Sequence, residues 1–146
     1  MADAQDWVRR RREAAQEQAD RLARRRAAET ARAREMIHEF AREAQERGIS
    51  AGPLLARAGE GPPTYRTGLV GWYLNRDGSL GVTTDGEYYH LAHPRSLKAR
   101  LSGVRLHPAE PPLQVGAGGR DGESIALDVL LAMRLDAGDD WPIYGL

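Results

Sequence analysis

The sequence contains no cysteine, one lysine, one phenylalanine and no long apolar run. Without cysteine, the chain cannot form disulfides, thiolate metal sites or a cysteine nucleophile. No segment approaches the roughly 18 apolar residues that a membrane span requires. The N-terminus, MADAQDWVRRRRE, is charged and lacks the apolar centre of a secretory signal. We therefore expect a soluble, cytoplasmic protein that does not associate with membranes.

An excess of one charge is also missing, because 21 basic residues balance 21 acidic ones. A neutral chain has no overall attraction to nucleic acid or to an anionic membrane. Every basic residue except Lys98 is an arginine, a bias typical of a bacterial genome rich in G and C. Arginine abundance is therefore weak evidence about function. The length of 146 residues fits one domain, or a small domain with an appendage.

Residues 1–47 are predicted to form a long, charged N-terminal helix. Gly and Pro are absent from residues 3–47, which consist mainly of the strong helix formers Ala, Arg, Glu and Gln. Large apolar residues are dense in the last three turns and sparse before them, where they are Trp7, Val8 and Leu22. We expect the last three turns to dock on a domain, and the first half to project into solvent or contact a partner.

Residues 48–64 are predicted to be a linker, because GEGPP breaks regular structure. Leu54 and Leu55 within it fit a short turn of helix. The domain then spans residues 65–146. Its centre is Thr67–Pro94, in which apolar residues alternate with polar or small ones. Two Asp-Gly pairs interrupt this alternation, and Asp-Gly between alternating runs is a strong hairpin signal.

The rest of the domain completes an α+β fold. Residues 95–102 are predicted to form one or two helical turns with Leu97 and Leu101 facing inward. Residues 104–107 and 113–115 are predicted as short strands. A second helix opens at residue 123 or 124 and runs to about residue 136, apolar on nearly all sides.

We therefore expect a three- to five-stranded antiparallel meander. The C-terminal helix and the end of the N-terminal helix should pack on it. A domain of this size buries a marginal core alone. The apolar C-terminal helix and the projecting helix both favour self-association, and a dimer is the form expected.

The glycine-rich stretch GAGGRDG, residues 116–122, precedes the C-terminal helix. Such loops can present backbone N–H groups to a phosphate. Its spacing matches neither the dinucleotide fingerprint nor the P-loop, and its acidic neighbours would repel a phosphate. We interpret it as a connection, and no cofactor is predicted.

Candidate binding residues gather where the central sheet ends. Histidine and arginine there can bind an anion or act on a phosphodiester, and histidine with a nearby carboxylate can hold a metal. No catalytic or metal motif supports these uses, and residues 90 and 93 would point to opposite faces of a strand. The alternative is a strand end rich in amphipathic side chains. The candidate residues, with one from the acidic, aromatic tail, are Tyr88, His90, His93, Arg95, Lys98, Arg100 and Trp141.

Three functional hypotheses follow. The first is a non-enzymatic interaction or regulatory protein that engages a protein partner, or itself, through the helical arm and the C-terminal tail. The second is nucleic-acid binding through Arg9–Arg12, Arg24–Arg26 and the His90–Arg105 segment. The third is a small hydrolase or nuclease that uses His90 or His93.

Overall fold

A computed structural model describes residues 2–59, 61–116 and 123–143. The predicted α+β class is confirmed by a long N-terminal helix, a four-stranded antiparallel sheet, a two-stranded sheet and a C-terminal helix. In chain order the elements are α1 (Ala2–Glu46), β1 (Gly52–Arg57), β2 (Thr64–Tyr73), β3 (Leu80–Thr83), β4 (Tyr88–His90), α2 (Leu97–Ser102), β5 (Gln114–Gly116), β6 (Ser124–Ala126), α3 (Leu127–Ala137) and a 3-10 turn (Gly138–Asp140).

The N-terminal helix is continuous over 45 residues, as its composition predicts. It ends at Glu46, and Gly48 follows with a φ of 71°, a left-handed conformation that favours glycine. The backbone N–H of Ile49 then donates to the carbonyl of Ala44 at 2.9 Å, which satisfies one of the last free carbonyls of the helix.

The main sheet is an antiparallel meander with the strand order β1-β2-β3-β4. Both Asp-Gly pairs form the predicted turns. Gly78 and Gly86 have φ values of 72° and 85°, which side chains disfavour. The Asp77 carboxylate accepts the backbone N–H of Ser79 at 2.9 Å, and Asp85 accepts the hydroxyl of Thr83. Local turn chemistry therefore sets the register of the two hairpins.

The segment predicted as a linker, residues 48–64, contains β1. The expected turn of helix at Leu54 and Leu55 is wrong, because this stretch is extended and pairs with β2. Leu54 and Ala56 are buried, with Leu55 half-buried between them. Short apolar runs do not distinguish a strand from a helix by themselves. Pairing with the long strand β2 settles the conformation here.

Three further boundaries differ from the sequence-based expectations. Residues 104–107 do not form a strand. Val104 makes one backbone hydrogen bond to β2, and Pro108 follows without an N–H. The predicted fifth strand exists as β5, but it pairs with β6 in a separate sheet. Because β6 occupies Ser124–Ala126, the C-terminal helix begins at Leu127.

The orientation predicted for α2 is also wrong. Leu97 and Leu101 are 79% and 81% exposed, while Ala99 is 5% exposed and faces the sheet. The side chain of Ser96 caps the helix by accepting the backbone N–H of Ala99 at 3.1 Å. The cap fixes where the helix starts, so Ala99, rather than either leucine, meets Tyr65.

The main core lies between one face of the sheet and the two long helices. Phe40 of α1 packs edge to face on Trp72, with ring centroids 5.8 Å apart. The indole N–H of Trp72 donates to the carbonyl of Ile49 at 3.0 Å, so this tryptophan is a core residue. The buried residues of α1 are Ala33, Ile37, Phe40, Ala41 and Ala44, and those of α3 in this core are Leu127, Leu130 and Leu131.

The opposite face of the sheet carries two smaller clusters. Tyr88 belongs to the main core and its neighbour Tyr89 to a cluster with Leu54, because successive side chains of a strand alternate between faces. Ala56, two residues after Leu54, joins the cluster under α2. Helix α2 therefore lies on the face opposite to α1 and α3.

None of the described helices has both the length and the apolar character needed to cross a membrane.

Candidate interaction surfaces

Tyr88 and His90 lie together at the end of β4. Tyr88 is 2% exposed, and burial raises the pKa of its phenol to about 12. A phenol with this pKa stays protonated near neutral pH, so it cannot act as a base there. The exposed ring of His90 contacts the edge of Tyr88, with centroids 5.4 Å apart. The pair forms the rim of the main core.

His93 lies apart from His90. Its ring contacts Tyr65, with centroids 5.7 Å apart, and its Nδ1 is 2.7 Å from the carbonyl oxygen of Pro94. Tyr65 belongs to the cluster under α2, whereas His90 contacts the main core on the other face. The two histidines therefore do not form a shared site. Within the described residues, no group of three His, Asp or Glu side chains is placed to hold a metal ion.

The basic candidates Arg95, Lys98 and Arg100 are exposed on and beside α2. They surround the two exposed leucines of this helix, Leu97 and Leu101. These cations therefore flank an apolar centre on α2.

Trp141 holds the chain after α3 against the domain. The guanidinium carbons of Arg76 and Arg134 lie 5.2 and 5.5 Å from the centroid of its ring. Arg134 is 6% exposed and donates two hydrogen bonds of 2.7 Å, to the carbonyls of Tyr73 and Gly138. Burial lowers the pKa of Arg134. Trp141 is thus engaged within its own chain. Tyr144–Leu146, the rest of the predicted tail, lies outside the described residues.

A cleft of about 350 Å³ opens between α1 and the turn that follows β3. An added Cβ at Gly86 would lie 2.5 Å from Nδ1 of His38, so the imidazole sits directly over that turn. Arg34 and Glu87, which carry opposite charges, line this cleft together with Tyr88. The cleft is lined by Arg34, His38, Glu87, Tyr88 and Pro108, among others.

A second groove, of about 470 Å³, lies further toward the N-terminus of α1. We call it the shoulder groove. Its helical wall is Arg26, Glu29 and Thr30, and its other wall is residues 110–114. Arg34 and Glu110 form an ion pair of 3.7 Å at the border of the two clefts. Both partners are more than half exposed, so the pair contributes at most about 1 kcal/mol.

Sequence reasoning missed both clefts. Each has one wall in α1, and the other wall includes residues of an irregular proline-rich segment far away in the chain. The proline spacing signals an extended segment. It carries no information about which helix face that segment meets.

The first part of α1, residues 3–29, projects away from the domain. We call it the arm. Every side chain in it is exposed except Asp6, which is half-buried. At 1.5 Å per residue the arm is about 40 Å long. Trp7, Val8 and Leu22 are 56%, 42% and 44% exposed.

The apolar residues of the arm lie on the same side of α1 as its buried residues. With 3.6 residues per turn, Val8, Leu22 and Phe40 fall within about 40° of one another around the helix axis. Ala15 and Ala33 lie within the same sector. We call the arm's part of this face the underside. The shoulder groove continues it, because Arg26, Glu29 and Thr30 line that groove.

The comparisons with known proteins do not identify this chain. No family model, curated protein or solved structure matches it.

Proposed function

We propose that the protein is an interaction protein that binds a helical segment of a partner protein along the underside of the arm. One observation carries the proposal. The apolar face of α1 continues past the last residues that the domain covers, from buried Ala33 to exposed Leu22 and Val8. A partner that packs on this face would extend the main core along the helix.

The chemistry of the arm favours protein over nucleic acid. Its eight arginines are interspersed with six acidic residues, which weakens its attraction to phosphates. The Arg9 guanidinium is paired with Asp6 at 3.1 Å. Trp7 is 56% exposed, with the Arg11 guanidinium 5.0 Å from its ring centroid. Tryptophan and arginine are the residue types most enriched at the energetic centres of protein interfaces.

The partner segment that suits this surface is an amphipathic helix. Val8, Ala15 and Leu22 are spaced by seven residues, which is the repeat of helix-on-helix packing. A helix along the underside can place apolar residues over these three positions. Its end then reaches the shoulder groove, where Arg26 and Glu29 offer one charge of each sign. Half-buried Leu113 lies in that groove and packs against the main core, so the partner's end would contact an apolar surface.

Only a few large side chains on the arm are apolar, so the contact should be weak and reversible. The arm is better suited to bind a partner than the C-terminal tail is. Trp141, the tail residue predicted to bind a partner, is already packed against Arg76 and Arg134.

The test compares two variants that each add two negative charges to α1. Val8→Asp/Leu22→Asp changes the underside, and Ala28→Asp/Ala31→Asp changes exposed positions on the outer face. Proteins captured from a cell extract by the full chain are purified and titrated against all three forms. We expect the underside variant to weaken binding at least about tenfold, or about 1.4 kcal/mol, while the outer-face variant binds normally.

Equal binding by the underside variant would refute the proposal. Binding of random-sequence duplex DNA at low salt, with no protein partner retained, would favour the nucleic-acid alternative instead.

A further inference from the structure

The exposed leucines of α2 form an apolar patch that the fold holds in place. Leu97 and Leu101 are 79% and 81% exposed and one helical turn apart. The helix beneath them is fixed on the sheet. Ser96 caps it and donates its own N–H to the Tyr65 hydroxyl at 3.1 Å, and Ala99 is buried. Both leucines are therefore presented to solvent by a firmly attached element.

The surroundings of this patch are basic. Lys98 and Arg100 flank the leucines on α2, and both are exposed, as is the preceding Arg95. Between Glu87 and Glu110 the sequence contains no acidic residue. We call Leu97 and Leu101, with Lys98 and Arg100 beside them, the α2 patch. Its occupant should be apolar at the centre and acidic around it.

Helix α3 of the same chain carries a surface of that description. Val129 and Met133 are 48% and 41% exposed and, like the α2 leucines, one turn apart. Asp128 and Asp136 lie at the two ends of this pair and are exposed. Asp136 lies 3.8 Å from the Arg47 guanidinium, and its side chain remains 82% exposed. We call these four residues the α3 patch. The described residues 123–143 contain five acidic side chains and one arginine, Arg134, which is buried.

The two patches cannot meet within one molecule. Helix α2 packs on the face of the sheet that carries Ala56 and Tyr65, whereas α3 packs on the face that carries Trp72. A contact between them must therefore join two copies. Because the contact uses a different surface on each copy, it is heterologous, and each copy retains one free patch, the α3 patch on one copy and the α2 patch on the other.

We propose that a second copy of this chain is the occupant of the α2 patch, which it binds through its α3 patch. Val129 and Met133 of one copy pack on Leu97 and Leu101 of the next, and the aspartates approach Lys98 and Arg100. The assembly grows head to tail. This contact is independent of the arm, which stays available for its partner.

The test uses two variants of the full chain, each with one patch blocked. Leu97→Ser/Leu101→Ser removes the α2 patch and Val129→Ser/Met133→Ser removes the α3 patch. All four positions are exposed, so both variants should fold, and tryptophan fluorescence, to which buried Trp72 contributes, checks that they do. The wild type is expected to form species larger than dimers in sedimentation velocity as its concentration approaches about 1 mM. Added salt should weaken this association.

Each blocked variant alone should be monomeric. An equal mixture of the two should form a dimer and nothing larger, because only one compatible pair of patches remains. Lys98→Glu/Arg100→Glu is a second variant, expected to weaken association at least about tenfold.

Four outcomes would overturn the proposal. They are a wild type that stays monomeric throughout, blocked variants that associate like the wild type, a mixture that stays monomeric, and binding of the wild type to anionic phosphatidylserine vesicles through Leu97 and Leu101 without self-association.

Discussion

The arm and the covered end of α1 belong to one uninterrupted helix, yet they differ in what they contact. Both are rich in Ala, Arg and Glu. Between residues 33 and 44, five side chains are buried in the main core. In the arm, which is more than twice as long, every described side chain is at least partly exposed.

This difference shows that forming a helix and docking it have separate causes. Helix-forming residues and local ion pairs can sustain the arm without tertiary contacts, with each favourable i,i+4 pair contributing roughly 0.2–0.5 kcal/mol. Docking requires several apolar residues within a few turns on one face. The covered end satisfies this requirement, and the arm satisfies it only if a partner supplies the other surface.

The largest expected difference between the two regions comes from matched truncations. Phe40→Ala should lower the free energy of unfolding by about 3–5 kcal/mol, because a buried aromatic ring is removed. Leu22→Ala should change it by less than about 0.5 kcal/mol, because Leu22 is exposed. Urea unfolding followed by tryptophan fluorescence measures both. Comparable losses would show that the domain covers the arm in solution.

The sheet beneath the covered end provides the next test. A Cβ at Gly71 would lie 1.9 Å from the carbonyl oxygen of Val82, so Gly71→Ala forces two strands apart. We expect a loss of about 2–3 kcal/mol. The control is Gly52→Ala, because Gly52 pairs with Gly71 across β1 and β2 but has open space around it. If both variants have the same stability, β2 and β3 do not approach each other as closely at Gly71 as the structure shows.

The covered region should also be sensitive to alkaline pH, whereas the arm contains no tyrosine. Burial raises the pKa of Tyr88 from 10.0 to about 12. The protonated phenol is favoured in the folded state, so its contribution is complete below about pH 10 and is lost as pH rises toward 12. Between about pH 8 and about pH 11 the loss should be about 1.4 kcal/mol.

Tyr88→Phe should remove most of this pH dependence. Part should remain, because the pKa of Tyr89 is also raised, first by burial and then by Asp85 and Glu87. A Tyr88→Phe variant with the full alkaline loss would show that another group is responsible.

The smallest effect on global stability is expected within the arm itself. Ala23→Gly weakens a helix locally by about 1 kcal/mol, so the circular dichroism at 222 nm should decrease. The urea midpoint should not move, because Ala23 is exposed and makes no core contact. If the urea midpoint fell by as much as a loss of about 1 kcal/mol in the free energy of unfolding predicts, the arm would unfold together with the domain.

The sequence predicts best those features that depend on local chemistry. The absence of Gly and Pro predicts the full length of α1, and Gly48 marks its end. The two Asp-Gly pairs predict both hairpins, because glycine accepts the positive φ that Gly78 and Gly86 adopt. The division of α1 into a covered end and an exposed arm also follows from the density of apolar residues.

The sequence did not predict features that depend on contacts between residues far apart in the chain. Strand β1 forms because β2 lies beside it, and its own apolar run is too short to distinguish strand from helix. Leu97 and Leu101 have helical spacing, but the cap at Ser96 turns Ala99 inward instead. The shoulder groove joins α1 to a proline-rich segment that no local pattern connects to it.

The sequence predicted that basic candidate residues would cluster near the end of the sheet, but it did not predict how they would be arranged. His90 and His93 lie three positions apart in the sequence, yet they contact Tyr88 and Tyr65 on opposite faces of the sheet. The burial of Arg134 was also unexpected, because it depends on carbonyl acceptors in β2 and the 3-10 turn.

Amide hydrogen exchange along α1 of the full chain, measured by NMR, tests the central claim most directly. We predict helical Cα chemical shifts throughout residues 3–46. Protection should approach that of global unfolding at residues 37–44 and be far lower in the arm, with the change near Thr30. Uniformly high protection along the helix, or random-coil shifts in the arm, would contradict an exposed helical arm that awaits a partner.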